Sequence, residues 1–359
     1  MKDTIHISLC TDRNYVMPTG VTIISVCENN KEEKLHFHII YTDDDECAVT
    51  PLYSIVEKYG ATLTVHYFDK EKLEPYKCSG SAEHVTPTGF ARVFLPEILS
   101  EEITKVIYLD SDVIVSGSLR GLWDFSLKDT DPIGACIDTN VVEPGAHNRV
   151  DTPMSIPYCN SGVLLINLDC WRREGLQQQM CVVAREHQFP LLDQDAINYL
   201  FKDRIKILPF EYNVQLGFYL SGCDYMTGIY KVSETFDKAL QSPVVIHYSF
   251  PEKPWGYNGI VHGEKWWHYA KKSPWRDELP TPKSSSSFKI HREIEQIRMT
   301  AGVFPEQFNE FFLDYATLFS SAVRLRHGRN MLKIVSVILV LCTKVTDWVY
   351  NYNLGKHKN

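Results

Sequence analysis

The stretch that decides the fold reads Val106-Ile107-Tyr108-Leu109-Asp110-Ser111-Asp112-Val113-Ile114-Val115, an apolar run that two aspartates interrupt. In an extended segment, side chains two residues apart point the same way, so both carboxylates would face one cation. Two unpaired charges among core strands would cost several kcal/mol, and a divalent ion such as Mn²⁺ or Mg²⁺, which prefers oxygen ligands, removes that cost. Two surface aspartates in a turn are the alternative, but the apolar flanks favour a metal site at Asp110 and Asp112.

Strand-like and helix-like segments alternate on both sides of this stretch. The alternation predicts an α/β protein with a mostly parallel central sheet and flanking helices. Ligands of such sheets bind beyond the carboxyl ends of the strands, so Asp12, Asp110 and Asp112 are expected in one cleft. The predicted strands are Ile5–Cys10, Leu35–Tyr41, Thr62–Phe68, Lys105–Leu109, Ile133–Ile137, Val163–Asn167, Ile205–Leu208 and Val244–His247. The predicted helices are Thr19–Cys27, Ala48–Tyr59, Thr88–Leu99, Cys170–His187 and Gln194–Phe201.

The composition narrows the class of protein. With 359 residues, 44% of them hydrophobic, the chain is long enough for one large α/β domain and an appended segment. The formal net charge of −8 argues against a general nucleic-acid binder, which normally has a basic surface. None of the ten cysteines falls in a C-x-x-C pair, which indicates buried free thiols in a reducing compartment. No signal peptide precedes the first predicted strand, so we expect a cytoplasmic protein.

A stretch rich in Pro and Ser, residues 279–290, has the composition of a linker. It separates a predicted main domain, residues 1–278, from a C-terminal segment, residues 291–359. Within that segment, His291–Met299 and Pro305–Leu325 are predicted to be helical.

The end of the chain is basic. From Ser320 onward there are seven Lys and Arg against one acid. Its most apolar run, Ile334–Cys342, is too short to span a bilayer. A basic amphipathic tail with Trp and Tyr is typical of binding to an anionic membrane surface, here through residues 320–359. An ordinary helix packed on the main domain is the alternative.

A second candidate segment is His247-Tyr248-Ser249-Phe250-Pro251-Glu252-Lys253-Pro254-Trp255, which begins where a predicted strand ends. A histidine by itself is more often a hydrogen-bonded core residue. At a strand end and with a lysine six residues on, His247 is instead expected to complete the metal site as a neutral imidazole, a role more natural for Mn²⁺ than for Mg²⁺. Lys253 would meet a diphosphate as a point charge. A metal in such a site stabilises the charge on a departing nucleotide diphosphate.

Together these segments resemble glycosyltransferase family 8, which includes bacterial lipopolysaccharide and lipooligosaccharide glucosyl- and galactosyltransferases and glycogenin. The resemblance covers about residues 4–270. It implies a GT-A fold with a Rossmann-like sheet, a UDP-sugar donor (UDP-galactose or UDP-glucose), Mn²⁺ or possibly Mg²⁺, and retention of anomeric configuration. The acceptor would be a saccharide, and a lipid-linked or cell-surface glycan fits the basic tail, which would place the protein peripherally at the inner face of the membrane. The motifs that carry the resemblance are Leu109–Asp112, Asn160–Asn167, Asp193–Asp195 and His247–Trp255.

The resemblance also implies roles for single residues. Asp110, Asp112 and His247 match the metal ligands, and Lys253 matches the diphosphate contact. Arg92 matches an arginine that reaches the donor sugar and diphosphate. Without the resemblance, Arg92 would be interpreted as a solvated helix arginine.

The nucleotide itself is assigned to the end of the first strand and to the aspartate motif. There the resemblance implies that Tyr15 stacks on uracil and that Asp12 forms a hydrogen bond with it. Otherwise Tyr15 would be interpreted as an aromatic packed at a helix start. Asn14, Cys10 and Ser111 complete the predicted nucleotide contacts.

The resemblance assigns the donor sugar to Asn160, Asp193 and Gln194. It places Asp138 at the expected acceptor edge and, by its weakest match, His84 on the acceptor side. Asp193, Gln194 and Asp138 form the predicted catalytic set. Retention by double displacement would use Asp193 as the nucleophile, Gln194 being only a weak one. A same-face reaction without a covalent intermediate is equally open.

One residue departs from the family pattern. The family usually has Gly three residues after the motif histidine, and this chain has Phe250. That change puts the geometry of the loop in doubt, but not the metal site. A protein that holds a nucleotide sugar or a membrane partner without turnover is the competing class, and the intact set of Asp110, Asp112, His247 and Lys253 argues against it.

Overall fold

The computed structural model describes residues 2–76, 87–139, 144–187, 189–219 and 233–284. The chain divides into two compact units after Arg292, and all described elements belong to the first. The predicted C-terminal helices and the basic tail lie outside the described residues, as does His84. The domain boundary at residue 278 therefore stays a prediction.

The described strands form three sheets. Their bounds are β1 Ile5–Thr11, β2 Leu35–Tyr41, β3 Thr62–Tyr67, β4 Lys105–Leu109, β5 Val113–Val115, β6 Ile133–Ile137, β7 Cys159–Asn167, β8 Ile205–Ile207, β9 Val214–Gln215, β10 Val245–His247, β11 Tyr257–Asn258 and β12 Lys283–Ser284. The central sheet has the order β3-β2-β1-β4-β7-β6-β8, and β7 runs antiparallel to both of its neighbours. The second sheet has the order β5-β10-β9, and β11 pairs with β12, which lies inside the predicted linker. The prediction of a mostly parallel α/β sheet is confirmed.

Helices connect and cover these strands. The described α-helices are α1 Val16–Asn29, α2 Glu46–Tyr59, α3 Leu95–Ile98, α4 Arg120–Trp123, α5 Pro144–Arg149, α6 Leu168–Glu174, α7 Leu176–His187, α8 Leu192–Phe201, α9 Ser233–Gln241 and α10 Gly263–Ala270. The described 3-10 helices are Arg13–Tyr15, Lys70–Leu73, Pro87–Phe94, Lys202–Arg204, Phe210–Tyr212 and Leu216–Tyr219. In the described part of the chain, no helix has the length and apolar character needed to cross a membrane.

Two predicted helices differ from the structure. Cys170–His187 is divided between α6 and α7, because Gly175 has a φ of +62°, a left-handed conformation that ends a helix. Thr88–Leu99 is a 3-10 helix followed by the short α3. The reason is Pro96, which lacks the N–H that a continuous α-helix would bond to the carbonyl of Arg92.

The central strands are apolar because both faces of the sheet are covered. β1 and β2 are buried along nearly their whole length, whereas the edge strand β3 is partly exposed. One face, which carries Ile7 and Leu9, packs on α1, α2 and α10. The other face, which carries Cys10 and Ile40, packs on the 3-10 helix Pro87–Phe94 and on α6, α7 and α8.

A crevice is expected at the carboxyl ends of β1 and β4. These strands are parallel neighbours, and β2 lies on the other side of β1, so the chain leaves the sheet in opposite directions at this point. Asp12 follows β1 and Asp110 follows β4. The two strand ends are joined by the Ser111 hydroxyl, which donates to the carbonyl of Cys10 at 3.1 Å. Thr19 of α1 donates in turn to the Ser111 hydroxyl at 2.8 Å.

Candidate active site

The two aspartates of the apolar run lie in a turn, so the expectation of an extended segment was wrong there. The chain leaves the central sheet after β4 and enters the second sheet at β5, and Ser111 and Asp112 make the turn between them. The Asp110 N–H donates to the carbonyl of Gly162 at 2.8 Å, and the carbonyl of Asp112 accepts from the Tyr248 N–H at 3.0 Å. These backbone bonds fix both carboxylates between β7 and the end of β10.

His247, at the end of β10, is 3% exposed and faces both carboxylates. Its Nε2 lies 3.3 Å from Asp112 Oδ1 and 3.7 Å from Asp110 Oδ2. Asn213 donates its amide N–H to Asn160, so its Oδ1 is left to accept from His247 Nδ1–H at 3.0 Å. In this tautomer His247 Nε2 carries a lone pair directed at two carboxylates, an arrangement that a cation between them would stabilise.

The residues present fit a divalent metal. Asp110, Asp112 and His247 each offer one ligand atom, and these atoms all lie within 4.8 Å of one another. Asp112 Oδ1 is buried and has no hydrogen-bond partner, as expected of an atom that serves an ion. Two carboxylate oxygens and one imidazole nitrogen suit Mn²⁺ better than Mg²⁺.

Lys253 lies on the same side of this cluster. Its Nζ is 2.6 Å from Asp112 Oδ2 and donates to the carbonyl of Tyr248, also at 2.6 Å. Burial raises the pKa of Asp112, but the charge of Lys253 is the largest opposing effect, and that pKa lies below the usual range. The carboxylate is therefore ionised at neutral pH, as a metal ligand must be.

Arg92 is a buried arginine rather than a solvated one. Its guanidinium is 2.9 Å from Asp110 Oδ1 and 3.2 Å from Asp193 Oδ2, and it donates to the carbonyl of Ser161 at 2.5 Å. It also lies over the Tyr108 ring, 4.1 Å from the centroid. Burial opposes its charge, but Asp110 and Asp193 outweigh burial and raise the pKa of Arg92.

Asp193, in the first turn of α8, is 5% exposed. Burial raises the pKa of this carboxyl, and Arg92 opposes that rise. Although Oδ2 is close enough to Arg92 for an ion pair, its geometry gives it no hydrogen-bond partner. Asp193 is thus a desolvated carboxylate whose charge depends on one arginine.

The remaining polar residues of the predicted sugar site form one buried network. Asn160 donates to Asp138 at 2.8 Å and to Gln194 Oε1 at 3.1 Å. Gln194 donates to Asp138 at 3.1 Å and accepts from the Ser161 N–H, also at 3.1 Å. Because Asn213 bonds both Asn160 and His247, the network continues to the cluster of Asp110, Asp112 and His247. Asn160, Asp138 and Gln194 are therefore held together by hydrogen bonds.

Two residues of this site were missed by the sequence reasoning. Asn213 orients His247, and its only sequence signal is a polar residue beside the buried Tyr212 and Val214. Gly162 lies beside Asp110 and His247, where a Cβ would come 2.7 Å from Asp110 Oδ2 and closer still to the His247 ring. Gly162 lies in the Asn160-Ser161-Gly162 motif that was singled out in the sequence, but a role was predicted only for Asn160.

The predicted nucleotide residues lie at the end of β1. Asp12 Oδ1 accepts from the backbone N–H groups of Asn14 at 2.9 Å and Tyr15 at 3.1 Å, which fixes the turn. The half-buried Tyr15 ring meets Trp255 edge to face, with centroids 6.0 Å apart. Burial, with smaller effects of Asp112 and Asp12, raises the pKa of Tyr15 to about 12. Asn14 is exposed, whereas Cys10 is buried, which raises the pKa of its thiol to about 12.

Comparisons with known proteins confirm the family resemblance. A lipopolysaccharide 1,2-glucosyltransferase of Escherichia coli is 28% identical over 319 residues, 84% of this chain and 89% of that protein. A lipopolysaccharide 1,3-galactosyltransferase of Salmonella typhimurium is 25% identical over 282 residues, 76% of this chain and 80% of that protein. The crystal structure of the galactosyltransferase LgtC with donor and acceptor sugar analogues superposes with a TM-score of 0.65 at 26% identity, covering 77% of this chain and 100% of that one. The family described as glycosyl transferase family 8 matches residues 6–259. Because that match spans most of the chain, the protein is a glycosyltransferase of family 8 with the GT-A fold.

Proposed function

We propose that this glycosyltransferase is a Mn²⁺-dependent retaining enzyme that moves galactose or glucose from a UDP-sugar to a saccharide acceptor. The observation that carries the proposal is the convergence of Asp110, Asp112 and His247, with Asp112 Oδ1 buried and unpartnered. Mn²⁺ would be held by these three side chains and would supply positive charge to the departing diphosphate. Mg²⁺ is the second choice, because it seldom takes imidazole ligands.

The other residues bind different parts of the donor. Lys253 and Arg92 are the cations beside Asp112 and Asp110, so they neutralise charge as the diphosphate leaves. Tyr15 stacks on the uracil ring. Because Asp12 Oδ1 already accepts two backbone bonds, Oδ2 is the oxygen that reaches the base.

At the sugar end, Asn160, Gln194 and Asp138 hold hydroxyl groups of the donor and the acceptor edge, and Asp193 lies beside the anomeric carbon. In one route, Asp193 attacks that carbon as the diphosphate leaves, and the acceptor hydroxyl later displaces Asp193. In the other, the acceptor oxygen forms its bond on the face from which the diphosphate departs with the electron pair, and a phosphate oxygen takes the proton. Trapping with a slow donor followed by mass spectrometry separates the routes, because only the first attaches the sugar to Asp193.

The acceptor class follows from the relatives. Two of them are named as lipopolysaccharide glycosyltransferases, so we assign a lipid-linked or cell-surface saccharide, with a role in lipopolysaccharide biosynthesis. The basic residues 320–359 would then hold a cytoplasmic enzyme peripherally at the inner face of the membrane. Removal of residues 320–359 should release the protein from anionic vesicles and spare transfer to a soluble acceptor. Unchanged vesicle binding would refute the role of the tail.

A donor panel tests the activity. The protein is incubated with Mn²⁺ and UDP-glucose, UDP-galactose or other UDP-sugars, and released UDP is measured with and without saccharide acceptors. Asp110→Asn should abolish Mn²⁺-dependent release, whereas the exposed Asp277→Asn should leave it unchanged. Near-normal activity of Asp110→Asn would refute the metal assignment. Absence of hydrolysis and of transfer with every donor would favour the competing class, a catalytically inactive nucleotide-sugar-binding or membrane scaffold protein.

A further inference from the structure

Four histidines lie together on one face of the central sheet, away from the aspartate cluster. His6 is in β1, His36 and His38 are in β2, and His66 is in β3. The parallel register pairs His6 with His36, and it places His66 opposite Ile40, two residues beyond His38. Side chains of one face recur every second residue, so all four imidazoles project from the same side of the sheet.

The four rings are in direct contact. His6 Nδ1 lies 3.0 Å from His38 Nε2, and His38 Nδ1 lies 3.2 Å from His66 Nε2. The rings of His36 and His38 stack with centroids 4.2 Å apart. Each of His6, His36 and His38 offers one nitrogen, and these three atoms lie within 4.8 Å of one another.

Burial lowers the pKa of all four imidazoles. Burial and then the neighbouring His36 lower the pKa of His6, and burial, with smaller effects of the other three rings, lowers the pKa of His38 to about 3. Asp3 is the charged group that opposes this shift at His6. Low pKa values keep these rings available as neutral imidazoles, in which one nitrogen of each hydrogen-bonded pair donates to the other.

Hydrogen bonds from neighbouring side chains orient these rings, as they do for histidines that bind metals. His36 Nε2 bonds the Thr64 hydroxyl at 2.9 Å, which leaves the opposite nitrogen for a ligand role. In the same way, His38 Nδ1 forms a hydrogen bond with His66, so His38 Nε2 is the nitrogen that faces His6. Beside His38 in the register lies Ser8, whose hydroxyl is fully buried and has no hydrogen-bond partner. An unpartnered buried hydroxyl at this position would be satisfied by a water on a bound ion.

We propose that His6, His36 and His38 form a second metal site, for a borderline transition ion of the Zn²⁺ type. Zinc–nitrogen bonds of about 2.0–2.1 Å in a tetrahedral site separate the ligand nitrogens by roughly 3.3 Å, so the observed 3.0 Å between His6 and His38 needs to open by only a few tenths of an ångström. Imidazole ligands select such ions, whereas the carboxylates at Asp110 and Asp112 favour Mn²⁺. The ion would join β1 to β2 far from the diphosphate chemistry and stabilise the fold.

The test measures Zn²⁺ binding to the full chain in which Asp110→Asn and Asp112→Asn weaken the first site. Competition with a chromophoric chelator should report one tight equivalent of Zn²⁺. His6→Gln and His36→Gln, each added to that background, should lose that equivalent, and the exposed His268→Gln should keep it. Equal zinc content in His6→Gln, His36→Gln and His268→Gln would overturn the proposal.

A second measurement stands even if a histidine variant fails to fold. Co²⁺ added to the protein without histidine substitutions, with the first site filled by Mn²⁺, should give the visible absorption of a tetrahedral nitrogen site, and Zn²⁺ should remove it. Absence of that absorption at saturating Co²⁺ would show that the four rings are a hydrogen-bonded ladder without a metal, and would overturn the proposal.

Discussion

Replacement of Gly162 by Ala adds one methyl group beneath the aspartate–histidine cluster. The new Cβ would lie 2.7 Å from Asp110 Oδ2 and 2.8 Å from His247 Nδ1, and closer still to His247 Cε1. Gly162 is not among the described glycines with positive φ, so Ala is compatible with the backbone. The effect of the substitution is therefore steric, and it falls on two of the proposed metal ligands.

The surrounding structure has little freedom to relieve this contact. His247 is fixed by β10, which pairs with β5 and β9, and by Asn213 at 3.0 Å, while Asp110 is fixed by Arg92 and by its backbone bond to Gly162. Overpacking of this kind costs about 1–3 kcal/mol. A shift of about 1 Å in a ligand position costs roughly 100-fold in turnover. We expect stability to fall by a few degrees in Tm and activity by about two orders of magnitude.

The assay compares Mn²⁺ affinity, donor hydrolysis and thermal unfolding of Gly162→Ala with those of the unsubstituted protein. Gly117→Ala is the matched control, because its Cβ would meet Val244 at an ordinary 3.4 Å. Circular dichroism establishes that both variants are folded. If Gly162→Ala bound Mn²⁺ and hydrolysed the donor normally, the close approach of His247 to β7 would be irrelevant and the steric reasoning would be refuted.

Three further predictions follow from single residues. Arg92→Met should lower the free energy of unfolding in urea by about 3–5 kcal/mol, because Asp193 would stay buried without its cation; a loss below 1 kcal/mol would contradict this. Asn213→Ala should weaken Mn²⁺ binding roughly 10–100-fold by freeing the His247 ring, and unchanged affinity would exclude that role. Because the pKa of His38 falls from 6.5 to about 3 on folding, the unfolded chain binds the extra proton, so stability is full above pH 6.5 and is lost as the pH falls toward 3. Without added metal, protonation of His38 in the unfolded chain should lower the free energy of unfolding in urea by about 1.4 kcal/mol at pH 5.5 relative to high pH. In His38→Gln this part of the decrease should be absent.

The sheet was predictable because each central strand carries its own signal. β2 and β4 begin and end where the apolar pattern does, and the alternation with helices fixes their parallel direction. The helix predictions that were wrong depend on single residues with local effects. Gly175 divides one predicted helix and Pro96 interrupts another, and the hydrophobic spacing continues through both positions. Periodicity reports which face is buried, but not where the hydrogen bonding of a helix is interrupted.

The candidate site was predictable residue by residue, but its connections were not. Asp110 and Asp112 were expected to converge because an extended segment points both side chains the same way, and they converge in a turn between two sheets. The sequence around Arg92 does not distinguish it from a solvated arginine, because the carboxylates that pair with it come from the residue after β4 and from α8. Such contacts depend on chain segments far apart in sequence, which pattern analysis of one sequence does not bring together.

These contacts join the residues of the proposed donor site in one hydrogen-bond network. Starting from the metal cluster, His247 bonds Asn213, Asn213 bonds Asn160, and Asn160 bonds both Asp138 and Gln194. All of these atoms are buried, so water cannot replace a lost partner without cost. A substitution of Asp138 or Gln194 is therefore expected to change the orientation of His247, and a substitution of His247 to change the positions of Asp138 and Gln194. Single substitutions in this network would not report separate contributions to donor binding and catalysis, and only double-mutant cycles along the chain of bonds can divide them.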